Sequence, residues 1–229
     1  MHSCAAHSRR ALPTKASAFI DFLQNHDHVG NRARGERITQ LVRDAAALRA
    51  ATAVLLLAPQ PPLLFMGEEW ASPQPFPWFC DFEPQLLERV RAQRAQEIPG
   101  APDPGAVTTW TAAQLDWSLL RQSAHARVLT HYRRLLTIRR RDIVPLLPQL
   151  GAARCAAPGP DGAFAVDWSR GGQTLHLIAN LAAMPAPLPA RAAGRVLFAT
   201  HPGVRASIAR NELSPWSVLW LLEQRGEPA

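Results

Sequence analysis

Residues 22–32 read Phe-Leu-Gln-Asn-His-Asp-His-Val-Gly-Asn-Arg, so an apolar run (Ala18, Phe19, Ile20, Phe22, Leu23) leads straight into Asn25, His26, Asp27 and His28. All four carry groups that bind or transfer protons. A carboxylate beside a histidine at the end of a buried strand can serve as a general base, a metal ligand or an acceptor for sugar hydroxyls. The plain structural alternative is a satisfied polar cluster in a loop. Three consecutive residues rarely converge on one ion, and the Cys/His spacings of zinc sites are absent, so neither a metal site nor a cofactor is expected. Gly30 then permits a turn that other residues resist.

Elements must hold this cluster in place. Ile38, Leu41, Val42, Ala45, Leu48, Ala51 and Leu55 recur at helical spacing, with Arg37, Gln40, Arg43, Asp44 and Arg49 between them. The spacing predicts one amphipathic helix that opens after Gly35-Glu36 and stops at Pro59. Leu63-Leu64-Phe65-Met66 reads as a short buried strand closed by Gly67, and Glu68, Glu69 and Trp70 follow at its end. The order is strand, polar cluster, helix, strand, polar cluster. In a parallel sheet that order puts both polar clusters on one side.

These two stretches carry a family resemblance. Phe-Leu-Gln-Asn-His-Asp-x-x-Gly-Asn-Arg (22–32) with Gly-Glu-Arg-Ile (35–38), and Leu-Leu-Phe-Met-Gly-Glu-Glu-Trp (63–70), resemble the last two barrel strands of the α-amylase family of glycoside hydrolases. Within that family the likeness is to its trehalohydrolase branch, and it runs from about Ala18 to about Leu222. The resemblance implies an α/β plus all-β chain: the C-terminal portion of a (β/α)8 TIM barrel, namely its last two strands and their helices, then a small antiparallel β-sandwich domain. The implied divisions are a tail over 1–17, a partial barrel over 18–148 and a β domain over 149–229. Asp27 matches the family's carboxylate that stabilises the transition state, and His26 the histidine bonded to the same sugar ring. Asn25, His28, Arg32, Glu68 and Trp70 are implied as substrate-binding or supporting groups. The implied substrate is malto-oligosyl trehalose or a related α-glucan, cut at the α-1,4 bond beside its terminal trehalose unit.

Hydrolysis of this kind needs a carboxylate nucleophile and a carboxylic acid flanking the bond. The family carries them on earlier strands, whereas residues 1–17 hold neither a strand pattern nor a carboxylate. The expectation is therefore a C-terminal fragment, inactive alone. The alternative is a non-catalytic glucan-binding or complementing subunit of a split enzyme, partnered by a separately encoded N-terminal catalytic half.

Downstream, Pro84 opens a predicted helix through Glu97 with Leu86, Leu87 and Val90 inward, and a second helix is predicted over 124–141. Arg139-Arg140-Arg141 suits the dipole at that helix's end. Short strand patterns follow at 163–168, 174–180, 195–199 and 218–222, between turns such as Gly159-Pro160-Asp161-Gly162. The 25 Lys and Arg residues against 18 Asp and Glu give a net charge of +7, but the arginines are dispersed, so no nucleic-acid partner is expected. Cys4, Cys80 and Cys155 form no CxxC pair, and no apolar run reaches the length of a membrane span. A cytoplasmic address with no membrane partner is the expectation.

Overall fold

A computed structural model of the chain describes residues 18–158, 162–187 and 193–224. The tail expected over 1–17 and the turn residues Gly159, Pro160 and Asp161 lie outside the described residues. The helices are α1 (His26–Gly30), α2 (Ile38–Leu41), α3 (Ala45–Leu57), α4 (Pro84–Glu97), α5 (Val107–Ala112), α6 (Ser123–Ile138) and α7 (Val204–Ala209). The strands are β1 (Arg154–Pro158), β2 (Ala163–Arg170), β3 (Gln173–Asn180), β4 (Ala186–Pro187), β5 (Arg195–Ala199), β6 (Glu212–Leu213) and β7 (Ser217–Gln224). Two compact units interleave along the chain: residues 18–21, 44–62 and 133–224 form one, and residues 22–43 and 63–132 the other.

The first unit is organised by an antiparallel sheet in the order β1-β2-β3-β7-β5, with β4 and β6 paired separately. Gly171 and Gly172 both take positive φ and close the β2–β3 hairpin, the backbone a tight two-residue turn demands. Alternation along β7 fills two cores. Leu219 and Leu221 join Ala165, Ile178, Val204 and Ile208 on one face. On the other, Trp220 stacks on Trp168 with ring centroids 5.7 Å apart and donates from Nε1 to the Ala53 carbonyl of α3 at 3.0 Å. Both faces are covered, which is why Val218 to Leu222 is an unbroken apolar run. The strand expected at 195–199 matches β5, and the other three expected strands are longer than their patterns. β1, β4, β6 and α7 were not anticipated.

The helix expected from Gly35 to Pro59 is instead two. Val42 is extended, and Asp44 begins α3 by accepting from the Ala46 amide at 2.7 Å. Alanine and leucine then carry α3 to Ala58, where Pro59 stops it. The carbonyls at that end meet one buried side chain. Arg139 donates to Leu56 O at 3.1 Å, Pro59 O at 3.3 Å, Gln60 O at 2.8 Å, and also to Ala58 O. A guanidinium has five donors in a fixed fork, enough to satisfy such a cluster. Arg139 is placed for this by a π turn (Arg139–Ile143) that continues α6. Its neighbour Arg141 pairs with Asp142 at 2.8 Å, and Asp142 also accepts from Arg195 at 2.9 Å.

The strands expected at 18–23 and 63–66 form no ladder. The described residues show one parallel bridge, Asp21 to Pro62, with the Asp21 amide donating to Pro61 O at 3.1 Å. Phe19 and Ile20 are 57% and 62% exposed, so no neighbouring strand covers them. A parallel strand needs partners to satisfy its backbone and bury its side chains, and neither segment has a second one here.

In the second unit α4 begins at Pro84 as expected, but it buries no residue: Leu86 is exposed, and Leu87 and Val90 are only half-buried. α6 starts in this unit and ends in the first.

Arg139→Met keeps the volume of the side chain but leaves buried carbonyls unpaired. Urea unfolding of this variant is expected to show a loss of about 3 kcal/mol.

Candidate functional site

The polar cluster forms a single helical turn rather than a strand end. Asn25 starts α1: its Oδ1 accepts from the His28 amide at 2.9 Å and lies 2.6 Å from His28 Nδ1. Asn25 and His28 therefore satisfy each other. His26 Nε2 sits 3.3 Å from Asp27 Oδ1, and the two side chains are 71% and 68% exposed. The backbone beneath them is tied down, since the Asn31 amide donates to Asp27 O at 3.1 Å. Arg32 Nη1 donates to Glu36 O at 2.6 Å and braces the following loop.

Glu68 and Trp70 are in a different environment. Glu68 is 3% exposed. It accepts from Gln24 Nε2, from the Phe65 amide and from the Tyr132 hydroxyl, each at 3.3 Å. Burial pushes its carboxyl above the usual range; the three hydrogen bonds oppose that shift and the neighbouring Glu69 adds to it. Trp70 is 2% exposed, and Trp117 covers it with ring centroids 4.8 Å apart. Its carbonyl accepts from His125 Nδ1 at 2.7 Å.

Gln24, Arg37 and Tyr132 belong to this site and were not singled out from the sequence. Gln24 is fully buried; its Oε1 accepts from the Ile38 amide at 2.9 Å while Nε2 reaches Glu68. Arg37, also fully buried, donates to Met66 O at 2.7 Å and Gln74 O at 2.5 Å, and its guanidinium lies 5.0 Å from the Phe65 ring centroid. Burial lowers its pKa, and Glu68 and Glu69 act in the opposite sense. The only signal for Gln24 and Arg37 was their place inside the two motifs. Tyr132 lies in the helix predicted over 124–141, and its hydroxyl partner comes from another element.

Gly35 makes this arrangement possible. Its φ is +66°, and a Cβ there would lie 2.2 Å from Pro77 N. The loop at 74–77 can thus close over the Arg37 segment, with the Phe76 amide donating to Gly35 O at 2.8 Å.

Beside the second motif a groove of about 490 Å³ is lined by Met66, Phe76, Phe79, Trp110, Ala113, Gln114, Leu115 and Trp117. Trp110 and Trp117 are exposed. An exposed indole offers a flat apolar face with a polar edge. Among the described residues no group of three His, Cys, Asp or Glu side chains is arranged to hold a metal ion.

Two outcomes follow from the buried network. Folded Glu68 keeps its proton to higher pH than the unfolded chain does, so its own contribution to stability is fully present below the ordinary carboxyl range and is lost as pH rises through the raised folded value. Thermal unfolding of Glu68→Gln from about pH 4 upward should be less pH-dependent than that of the parent chain. Gly35→Ala should destabilise by at least ~2 kcal/mol in denaturant titration, since it combines unfavourable φ with a backbone clash.

Residues 150–220 match a family model described as "Domain of unknown function (DUF3459)". The chain is 35% identical over 209 residues to a malto-oligosyltrehalose trehalohydrolase of a Rhizobium species, covering 88% of this chain and 34% of that protein. It is 32% identical over 222 residues to one from Brevibacterium helvolum, covering 92% and 36%. It thus spans about a third of the length of the curated relatives it matches. A solved structure from Salmonella typhimurium, described as a candidate alpha amylase, superposes with a TM-score of 0.82 at 38% identity, covering 93% of this chain and 36% of that one. A trehalose-6-phosphate hydrolase of Bacillus licheniformis, at 14% identity and TM-score 0.55, shares the fold. In sequence the chain is similar to part of the malto-oligosyltrehalose trehalohydrolases, and in backbone to part of a candidate alpha amylase.

Proposed function

We propose that this chain works as part of a glycoside hydrolase that cuts the α-1,4 bond next to the terminal trehalose unit of malto-oligosyl trehalose and releases trehalose. The observation that carries this reading is the exposed His26–Asp27 pair, standing on a turn whose surroundings are fixed by the buried Gln24–Glu68 and Arg37 contacts. A carboxylate held this way accepts hydrogen bonds from sugar hydroxyls, and those bonds strengthen as positive charge develops on the ring. His26 adds a second polar contact to the same ring. Asn25, His28 and Arg32 keep the turn in shape, and Glu68 supports it from below. Trp70 backs Trp117, whose exposed face suits a sugar ring. The nucleophile and the general acid come from sequence outside this chain, on the earlier strands of a (β/α)8 barrel to which residues 18–148 contribute the last part, ahead of a β-sandwich domain.

One observation favours a second reading, a glucan-binding or complementing subunit without catalysis of its own. It is the groove presenting Trp110 and Trp117, which needs no catalytic group to bind a glucan.

The test mixes the purified chain with a polypeptide carrying the remaining two-thirds of a trehalohydrolase and follows trehalose release from malto-oligosyl trehalose. The chain alone should give no rate near that of a normal enzyme. In the mixture, Asp27→Ala should lower kcat about a thousandfold, the equivalent of ~4 kcal/mol, with far less change in KM. If that variant keeps within tenfold of the parent kcat, Asp27 is not the catalytic carboxylate and the complementing-subunit reading replaces this one.

A further inference from the structure

α4 buries none of its fourteen residues, yet one of its side chains reaches the turn that carries His26 and Asp27. Arg94 donates from Nη1 to Asn31 Oδ1 at 2.9 Å and from Nη2 to Gly30 O at 3.0 Å. Its guanidinium also lies 5.4 Å from the Trp78 ring centroid. Gly30 is the last residue of α1 and Asn31 its C-cap. A five-residue helix has few internal hydrogen bonds, and its terminal carbonyls need outside donors. A cation at that end also meets the negative pole of the helix.

We infer that Arg94 is a positioning residue for the His26–Asp27 pair. This rests on the reading of Asp27 given above. The chain of contacts is short. Arg94 holds the Asn31 side chain, and the Asn31 amide holds the Asp27 carbonyl at 3.1 Å. Trp78 lies beside the guanidinium, whose planar fork lets both donors engage, as an ammonium could not. Arg91 steadies the helix separately by pairing with Asp103 at 2.8 Å.

The experiment compares Arg94→Met, Arg94→Lys and Asn31→Ala in the 229-residue chain by amide hydrogen exchange and NMR. Arg94→Met should speed exchange of the Asn31 amide roughly 10- to 100-fold, with amides of the β sheet unchanged. The NOE between the His26 ring and the Asp27 β protons should weaken in step. Lysine should restore only part of the protection. Arg94→Met combined with Asn31→Ala should be no worse than the more severe single variant, since both break one pathway. An Asn31 amide within twofold of the parent, loss of protection spread evenly over the chain, or additive effects of the two substitutions would overturn the assignment. The reading of Asp27 fails independently, through a full kcat for Asp27→Ala in the reconstituted assay while Arg94→Met still loosens α1.

Discussion

The hydrogen bond from Gln24 to Glu68 joins two polar loops that are 44 residues apart in the chain. Most of the site depends on it. Gln24 spends its other end on the first amide of α2, so one fully buried side chain fixes the segment entering α1, the start of α2 and the loop after Met66. Removing an amide from water is tolerable only when both of its ends find partners, and here both do. Arg37 donates from Nε and Nη1 to backbone carbonyls, while its buried Nη2 has no partner among the described residues. The exposed carboxylate and histidine of α1 stand in solvent on a turn backed by the buried, hydrogen-bonded Gln24 and Glu68.

The other unit is held by a comparable device in a different setting. α3 ends against Pro59, so its last carbonyls have no helical partner, and Arg139 supplies donors to four oxygens in succession. The π turn after α6 is what aims that side chain. Around it the sheet uses apolar burial on both faces, with Trp220 contributing area on one side and an indole hydrogen bond to α3. In both units the buried charged side chain sits where regular secondary structure stops, the place where unpaired backbone groups accumulate.

Position within the fold sorts the proposed site residues by accessibility. Asp27 and His26 are open to a ligand, whereas Glu68 and Trp70, equally prominent in the motifs, are enclosed. The aromatic face available beside Trp70 belongs to Trp117, from a segment with no motif of its own. A motif therefore names the neighbourhood of a site more reliably than the atoms that touch a substrate.

The sequence by itself determined the local elements whose signals are local. Pro84 marked the start of α4, the apolar spacing read over 124–141 marked α6, which ends sooner, at Ile138, and short alternating runs marked β2, β3, β5 and β7. It also carried the resemblance to the α-amylase family, because two motifs in order are specific even when each is short. Tertiary structure alone decided the rest. One apolar periodicity spanned α2 and α3, and the break between them depends on Asp44 acting as a cap instead of a mid-helix polar residue. Phe19 and Ile20 carry strand propensity, but a strand exists only where a neighbour accepts its hydrogen bonds, and among the described residues one parallel bridge is all that forms there. Gln24, Arg37, Tyr132 and Arg94 looked like ordinary polar or helical positions. Their roles come from partners 44, 29, 64 and 63 residues away, and no window of sequence contains both ends of such a contact.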